Sequence, residues 1–208
     1  MDYLALIGVV IAGYLIGSIP NGLIIGKIMY GIDLRDYGSK NIGATNAFRT
    51  LGIWPAFWVF LTDALKGVLG VLIGQFYVGT PAALLAGGIA SITGHNWSLF
   101  LNFKGGRGVA TGLGVITVLV PSITGVVLLV WSVIVYLTRY VSLASVVAAM
   151  LVPVLMLIMH KDYELLLFGI LAAVFVVVRH IPNIKRLLKG EELKIKVGNI
   201  DSTTKDEH

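Results

Sequence analysis

Three stretches of this 208-residue chain combine Ser, Asn, His, Lys, Arg and Gly at spacings suited to holding an anion. The first is Gly38-Ser39-Lys40-Asn41-Ile42-Gly43-Ala44-Thr45-Asn46-Ala47-Phe48-Arg49. Asn46 and Arg49 lie three apart and Ser39 lies seven before Asn46, which puts all three on one face of a short helix. Ser39 is a candidate N-cap. The free N–H groups of a helix start attract an anion, and the Arg49 guanidinium offers phosphate a forked grip. A turn with a capping Ser is the plainer alternative. The second stretch is Gly94-His95-Asn96-Trp97 followed by Phe103-Lys104-Gly105-Gly106-Arg107-Gly108-Val109-Ala110. Three glycines flanked by two cations at a helix start suit a backbone nest for an anion, because glycine lets the main chain approach the ligand. The same loop also reads as a tight cytosolic turn. His95 is a candidate base or phosphate donor, although a lone His is more often a hydrogen-bonded structural residue. The third stretch runs from Arg179 through His180, Pro182, Asn183, Lys185, Arg186 and Lys189 to Glu191 and Glu192. Asn183 and Arg186 can face one site, or the whole run can be a basic helix lying on anionic lipid.

Asp63 and Lys66 sit inside an otherwise apolar segment. Charges there usually face a bundle interior, and three residues apart on a helix they can pair. They serve equally well as a structural ion pair or as a substrate contact. Other chemistries lack their residues. There is no cysteine, so thiolate metal sites and Cys nucleophiles are excluded. The four His (95, 160, 180, 208) show no metal-binding spacing, and neither a P-loop nor a Gly-x-Ser-x-Gly elbow is present. The His-x4-Asp pair that marks one class of acyl-transfer enzymes is absent as well, since Phe100 stands where Asp would follow His95. No metal and no cofactor is expected.

The elements that position these residues are membrane helices. The chain is 57% hydrophobic and 13% charged, against about 25% charged in soluble domains. Spans of about 20 apolar residues are expected over 3–30, 51–78, 80–100, 141–159 and 163–178. The first reads as a retained helix, having no basic leader or cleavage site. The run 109–137 is one long span or, divided at Pro121, two short ones. The positive-inside rule decides between them. With seven spans and the N-terminus outside, fourteen of the sixteen Lys and Arg fall on the inner face, leaving Lys161 outside and Lys66 within a span. With six, either the tail or the first two polar loops would face outward. An all-α protein of about seven transmembrane helices follows, with the C-terminus cytosolic. Its weak point is 109–120, only about 18 Å of helix. Pro182 is expected to start a new helix or turn. Residues 1–192 read as one domain and 193–208 as a polar cytosolic tail. The net charge of +5 punctuates apolar runs, which suits membrane topology and anionic ligands and not nucleic acid.

In order and spacing, the three stretches resemble the bacterial acyl-phosphate:glycerol-3-phosphate acyltransferase family. The resemblance rests on Ser39-Lys40-Asn41-x-Gly43-x-x-Asn46-x-x-Arg49, on Lys104-Gly105-Gly106-Arg107-Gly108-Val109-Ala110 preceded by His95-Asn96, and on His180-x-x-Asn183-Ile184-x-Arg186-Leu187-x-x-Gly190-x-Glu192. Asp63-x-x-Lys66-Gly67 also fits, and Arg107 stands where Lys is common. The resemblance implies a seven-span fold in the bacterial plasma membrane with its active site facing the cytosol. It implies acyl transfer from a fatty acyl phosphate to the 1-hydroxyl of sn-glycerol 3-phosphate, giving lysophosphatidic acid and inorganic phosphate for phospholipid synthesis. Neither acyl-CoA nor acyl carrier protein is the direct donor.

On that reading Ser39 and His95 are catalytic. Asn41, Asn46, Arg49, Lys66, Asn96, Lys104, Gly105, Gly106, Arg107, Gly108, His180, Asn183, Arg186 and Glu192 bind substrate. Acyl phosphate has a good leaving group, so positioning and electrostatics can supply much of the rate. Glycerol phosphate's own phosphate would accept the hydroxyl proton, while Ser39 and His95 align the reactants. A covalent acyl-Ser39 intermediate is the rival, disfavoured because no base neighbours Ser39 in sequence. A transporter of phosphorylated or lipid-linked anions is the rival of another class, and would place polar groups toward both faces, often with a repeat. A small helical scaffold would leave the three dense loops unexplained. Membrane lipid is the surrounding partner. Oligomeric state is left open, and a monomer is compatible with the motifs.

Overall fold

The computed structural model describes residues 3–195. Among these are α1 Tyr3–Ser18, α2 Asn21–Tyr30, α3 Ala44–Leu51, α4 Ile53–Tyr77 and α5 Pro81–Asn96. A 3-10 turn, Leu99–Leu101, precedes α6 Val109–Leu119, α7 Pro121–Thr138, α8 Val141–Ile158 and α9 Tyr163–Leu188. The fold is all-helical, and five segments are long and apolar enough to cross a bilayer: Tyr3–Tyr30, Ile53–Tyr77, Pro121–Thr138, Val141–Ile158 and Tyr163–Leu188. The outward surface is apolar, with Leu4, Ile28, Phe76, Tyr136 and Leu188 exposed. Asp63, Lys66, Ser91, His95, Asn96 and Thr111 are buried instead. A chain that turns its polar side chains inward and its apolar ones outward is built for lipid.

Prolines set several boundaries. Val120 takes φ −145°, ψ 65° and separates α6 from α7, as a residue before proline is pushed out of the helical region. The division expected at Pro121 is therefore present. The single span expected over 3–30 is not continuous: it breaks at Ile19–Pro20. The carbonyls freed there find partners. Ser98 Oγ donates to Ser18 O and Lys66 Nζ donates to Ile19 O. Pro182 behaves contrary to expectation, since α9 continues through it to Leu188. Proline forfeits one helix hydrogen bond, but Asn183 and Arg186 beyond it are both tied to Glu192. At the start of α5 the Thr80 hydroxyl caps Ala83 N at 3.4 Å, with Pro81 in the first turn.

Packing fixes the helix directions. Gly13 faces Gly87 and Gly17 faces Ser91, so α1 and α5 run the same way. Gly70 faces Gly87 and Gly74 faces Ala83, so α4 runs against α5. Gly88 faces Val115 and Gly112 faces Ile92, so α6 does too. A Cβ at Gly17, Gly70 or Gly87 would strike the facing helix backbone. Small residues thus allow the close approach that drives helix association in lipid. α7 and α8 form a hairpin pinned by Trp131 Nε1 donating to Ser145 Oγ at 3.2 Å. One apolar cluster, including Val71, Ile92, Val115, Ile123, Met156 and Phe168, fills the bundle. A second, with Leu23, Leu34, Ile42, Ala47, Ala56 and Val59, lies beneath α3 and its loop.

The 2.7 Å Lys66–Asp63 pair is 5% and 3% exposed. Removing one partner of such a pair costs about 3–5 kcal/mol, whereas replacing both with apolar groups is close to neutral. Lys66→Met should therefore lower the unfolding midpoint in detergent sharply, and Lys66→Met with Asp63→Leu should recover most of it. Equal losses in the single and double variants would show that the cost of the single change does not come from an unpaired buried carboxylate.

Candidate active site

A cavity of about 490 Å³ opens at the end of the bundle where the three polar stretches meet, and runs inward between α4, α6, α7, α8 and α9. Its mouth is lined by Ser39, Asn41, Asn46, Arg49, His95, Arg107, Gly108, His180 and Glu192. Deeper, the wall is apolar and includes Phe57, Leu113, Ile116, Val127, Trp131, Val152 and Ala173.

The first stretch is organised by Asn46, which is 1% exposed. Its Nδ2 donates to Leu34 O and Tyr37 O at 2.9 and 3.0 Å. Its Oδ1 accepts from Ser39 N at 2.7 Å and from the Ser39 hydroxyl at 3.1 Å. Ser39 is thus not a helix cap. α3 starts at Ala44 with Gly43 in the capping position and no side-chain cap bond, and Ser39 belongs to the preceding loop, oriented by Asn46 from outside the helix. Asn41 Oδ1 accepts from Gly43 N at 2.9 Å. One turn after Asn46, Arg49 donates from Nη2 to Leu193 O at 2.8 Å. Its Nε is buried without a protein partner.

Two of the three glycine amides in the expected nest are already engaged. Gly105 N donates to Asn96 O at 3.2 Å and Gly106 N to His95 O at 2.9 Å, so both amides are engaged by the end of α5. Their carbonyls accept from Arg179, Gly105 O at 2.7 Å and Gly106 O at 2.9 Å. The guanidinium also lies 5.8 Å from the Trp97 ring centre. These ties press Gly106 onto His95, where any Cβ would run into the imidazole. The loop's role here is to seat His95 and to aim Arg107 into the cavity. Burial lowers the Arg107 pKa to about 10, the Glu192 carboxylate opposing and the neighbouring arginines adding to the shift. Arg49 is lowered in the same way by burial. Arg107 therefore stays a cation at neutral pH while largely stripped of water, which strengthens its pull on an anion.

His95 Nδ1 lies 3.7 Å from Asp63 Oδ1. The same oxygen holds Lys66 at 2.7 Å and accepts from Asn21 Nδ2 at 3.3 Å. At the end of α9, His180 Nδ1 meets Val176 O at 2.8 Å. A carbonyl only accepts, so Nδ1 is the donor in this contact. Asn183 Nδ2 donates to Glu192 Oε1 at 2.6 Å and Arg186 Nε to Oε2 at 2.7 Å.

The anticipated residues thus divide. Lys66 is locked beneath His95 and does not line the cavity. Asn96 is fully buried against Gly108, with both amide atoms lacking a protein partner. Lys104 is exposed on the outer side of its loop, and Gly105 and Gly106 present occupied amides. Asn183 and Arg186 stand behind Glu192. Arg179, which opens the third stretch without an assigned role, clasps the glycine loop, and Ser142, Ser145 and Trp131, not singled out from sequence, lie on the cavity wall. Ser142 and Ser145, three apart in an apolar run, were the legible signal for a polar stripe on α8.

The sequence model of the glycerol-3-phosphate acyltransferase family matches residues 7–190. A protein of Moorella thermoacetica named glycerol-3-phosphate acyltransferase 2 is 47% identical over 185 residues, covering 89% of this chain and 95% of that protein. A glycerol-3-phosphate acyltransferase of Fusobacterium nucleatum is 45% identical, covering 90% of this chain and 96% of its own. Among solved structures, an integral membrane glycerol 3-phosphate acyltransferase in its glycerol 3-phosphate form superimposes with a TM-score of 0.87 at 40% identity, over 92% of this chain and 96% of that one. A lysophosphatidic acid form gives 0.85 at 38% identity, over 92% and 95%.

Glu192 supplies a pH test. Burial pushes its pKa up, but hydrogen bonds from Asn183 and other neighbours, including Arg186, outweigh that and hold it below the ordinary 4.5. A depressed carboxyl contributes stability that is complete above the unfolded value and is lost as pH falls through the folded one. The unfolding midpoint should accordingly fall below about pH 4.5, and more steeply in the parent than in Glu192→Gln. Parallel acid profiles would show that the carboxylate is not held in this way.

Proposed function

The chain belongs to the glycerol-3-phosphate acyltransferase family, and we propose that it transfers a fatty acyl group from acyl phosphate to the 1-hydroxyl of sn-glycerol 3-phosphate. The observation that carries this is the meeting of Ser39, His95, Arg49 and Arg107 at the mouth of a cavity whose depth is apolar. The substrates need two phosphate sites beside a slot for an acyl chain, and the cavity has cations at one end and a greasy wall at the other. In the reaction the glycerol oxygen bonds to the acyl carbon, the carbon–oxygen bond to phosphate breaks, and inorganic phosphate leaves. The hydroxyl proton passes to the acceptor's own phosphate.

In this account Arg49 and Arg107 hold phosphate, with Asn41 and His180 completing the polar rim. Ser39 and His95 align the hydroxyl and the carbonyl. Asn46, Asn96, Asn183, Arg186, Glu192 and Lys66 hold these groups in place, with Lys104 and the loop Gly105, Gly106 and Gly108 forming the edge of the site. Direct transfer is favoured over an acyl-Ser39 intermediate because the Ser39 hydroxyl bonds to an amide oxygen, which is no base. Residues 1–192 form the acyltransferase domain. The tail 193–208 follows it, with 193–195 packed back against Arg49 and Arg139 and 196–208 outside the described residues. We place seven spans across a bacterial plasma membrane, N-terminus outside and active site toward the cytosol. The distribution of Lys and Arg supports this, as does the packing of short α5 and α6 among longer helices.

Purified protein given palmitoyl phosphate and radiolabelled glycerol 3-phosphate, with neither CoA nor carrier protein, should form lysophosphatidic acid. No product would defeat the assignment. Ser39→Ala should lose about 10²–10³ in kcat, the usual cost of one positioned polar group at a reacting centre. No acyl adduct should be trapped on the parent's Ser39, and finding one would replace direct transfer by the covalent route.

A further inference from the structure

The segment after α9 does not leave the protein. Beyond Glu192, held by Asn183 and Arg186, the chain turns back across the cavity mouth. Leu193 O accepts from Arg49 Nη2 at 2.8 Å. Lys194 Nζ sits 5.1 Å over the Tyr140 ring centre. Ile195 N donates to Arg139 O at 3.0 Å, and the Ile195 side chain lines the cavity. Four consecutive residues therefore bridge α9, α3 and the α7–α8 turn. They lie past residue 190, where the family match stops.

We infer that residues 193–195 are a strap that positions Arg49 for a substrate phosphate. The inference rests on the acyltransferase reading above. Arg49 is the last cation of a short helix and, on a long flexible stem, would sample many rotamers. The Leu193 carbonyl takes one edge of its guanidinium, fixing the plane and leaving Nε buried without a protein partner. A planar, forked donor gains most when it is held in advance of binding. The strap is held in turn at its far end, by the Tyr140 ring under Lys194 and by the Arg139 carbonyl. Arg49 is thus oriented by contacts that reach the opposite side of the mouth.

Three forms of the chain test this: the full chain, one ending at Ile195 and one ending at Glu192, which keeps the Asn183 and Arg186 contacts. The chain ending at Ile195 should match the full chain. Ending at Glu192 should raise the KM for one phosphate substrate on the order of tenfold, the loss of one hydrogen bond to a charged group. The KM for the other substrate and kcat should stay within about twofold, and the unfolding midpoint should barely move. Tyr140→Ala should shift the same KM in the same direction, and Tyr140→Phe, which keeps the ring, should not. Unchanged KM values in the chain ending at Glu192, or a fall in kcat with no selective KM effect, would overturn the strap while leaving the function intact. No turnover by the full chain would overturn the function and the strap with it.

Discussion

Lys66 and Asp63 meet 2.7 Å apart inside the helical bundle, and much of the architecture follows from that contact. Hydrocarbon offers no water to solvate a charge or a loose carbonyl. The same ammonium also closes the break at Pro20 by donating to Ile19 O. The same carboxylate accepts from Asn21 just past the break and lies beside His95. One ion pair thus joins α1, α2, α4 and α5 at the level where the membrane-embedded core gives way to the polar mouth. The second shared constraint is close helix approach: Ser91 Oγ donates to Lys66 O at 2.8 Å, which is possible because glycines bring α4 and α5 together.

Above this level the chain gathers cations. Arg49, Arg107, Arg179 and Arg186 converge from three separate stretches, and Glu192 is the carboxylate set among them. They divide their work. Arg179 and Arg186 are spent on the protein itself, clasping the glycine loop and Glu192. Arg49 and Arg107 face the cavity. Spending some cations on fixing the others is how a site is held ready for an anion without rearranging on arrival.

Much of this was legible in the residues. The spacing of Asp63 and Lys66 allowed the pairing without choosing it over a substrate contact, and the distribution of positive charge favoured the break at Pro121. Failures came where a tertiary partner outvoted a local rule. Ser39 looked like a cap, but Asn46 captured its hydroxyl and amide from outside the helix. The glycine loop looked like an anion nest, but the carbonyls of His95 and Asn96 took the amides of Gly105 and Gly106. Pro182 looked like a terminus, but the Glu192 contacts carry α9 past it. Pro20 was passed over because the apolar run around it is long enough to span, and periodicity cannot reveal that Lys66 and Ser98 would satisfy a gap. The return of residues 193–195 had no sequence signal, since its bonds are mostly backbone carbonyls and amides.

The three polar stretches meet at one cavity mouth, and a single site there needs all three on one face of the membrane. The chain contains no cysteine, so single cysteines can report position without background. Lys40, Lys104 and Lys189 are exposed, one in each stretch, and Asp162 is exposed at the far end of the bundle. Each replaced by cysteine should be tested with a membrane-impermeant maleimide on intact cells and on inverted vesicles. The three lysine positions should react only in inverted vesicles and position 162 only in intact cells. Labelling of any one of the three from outside would contradict the single site.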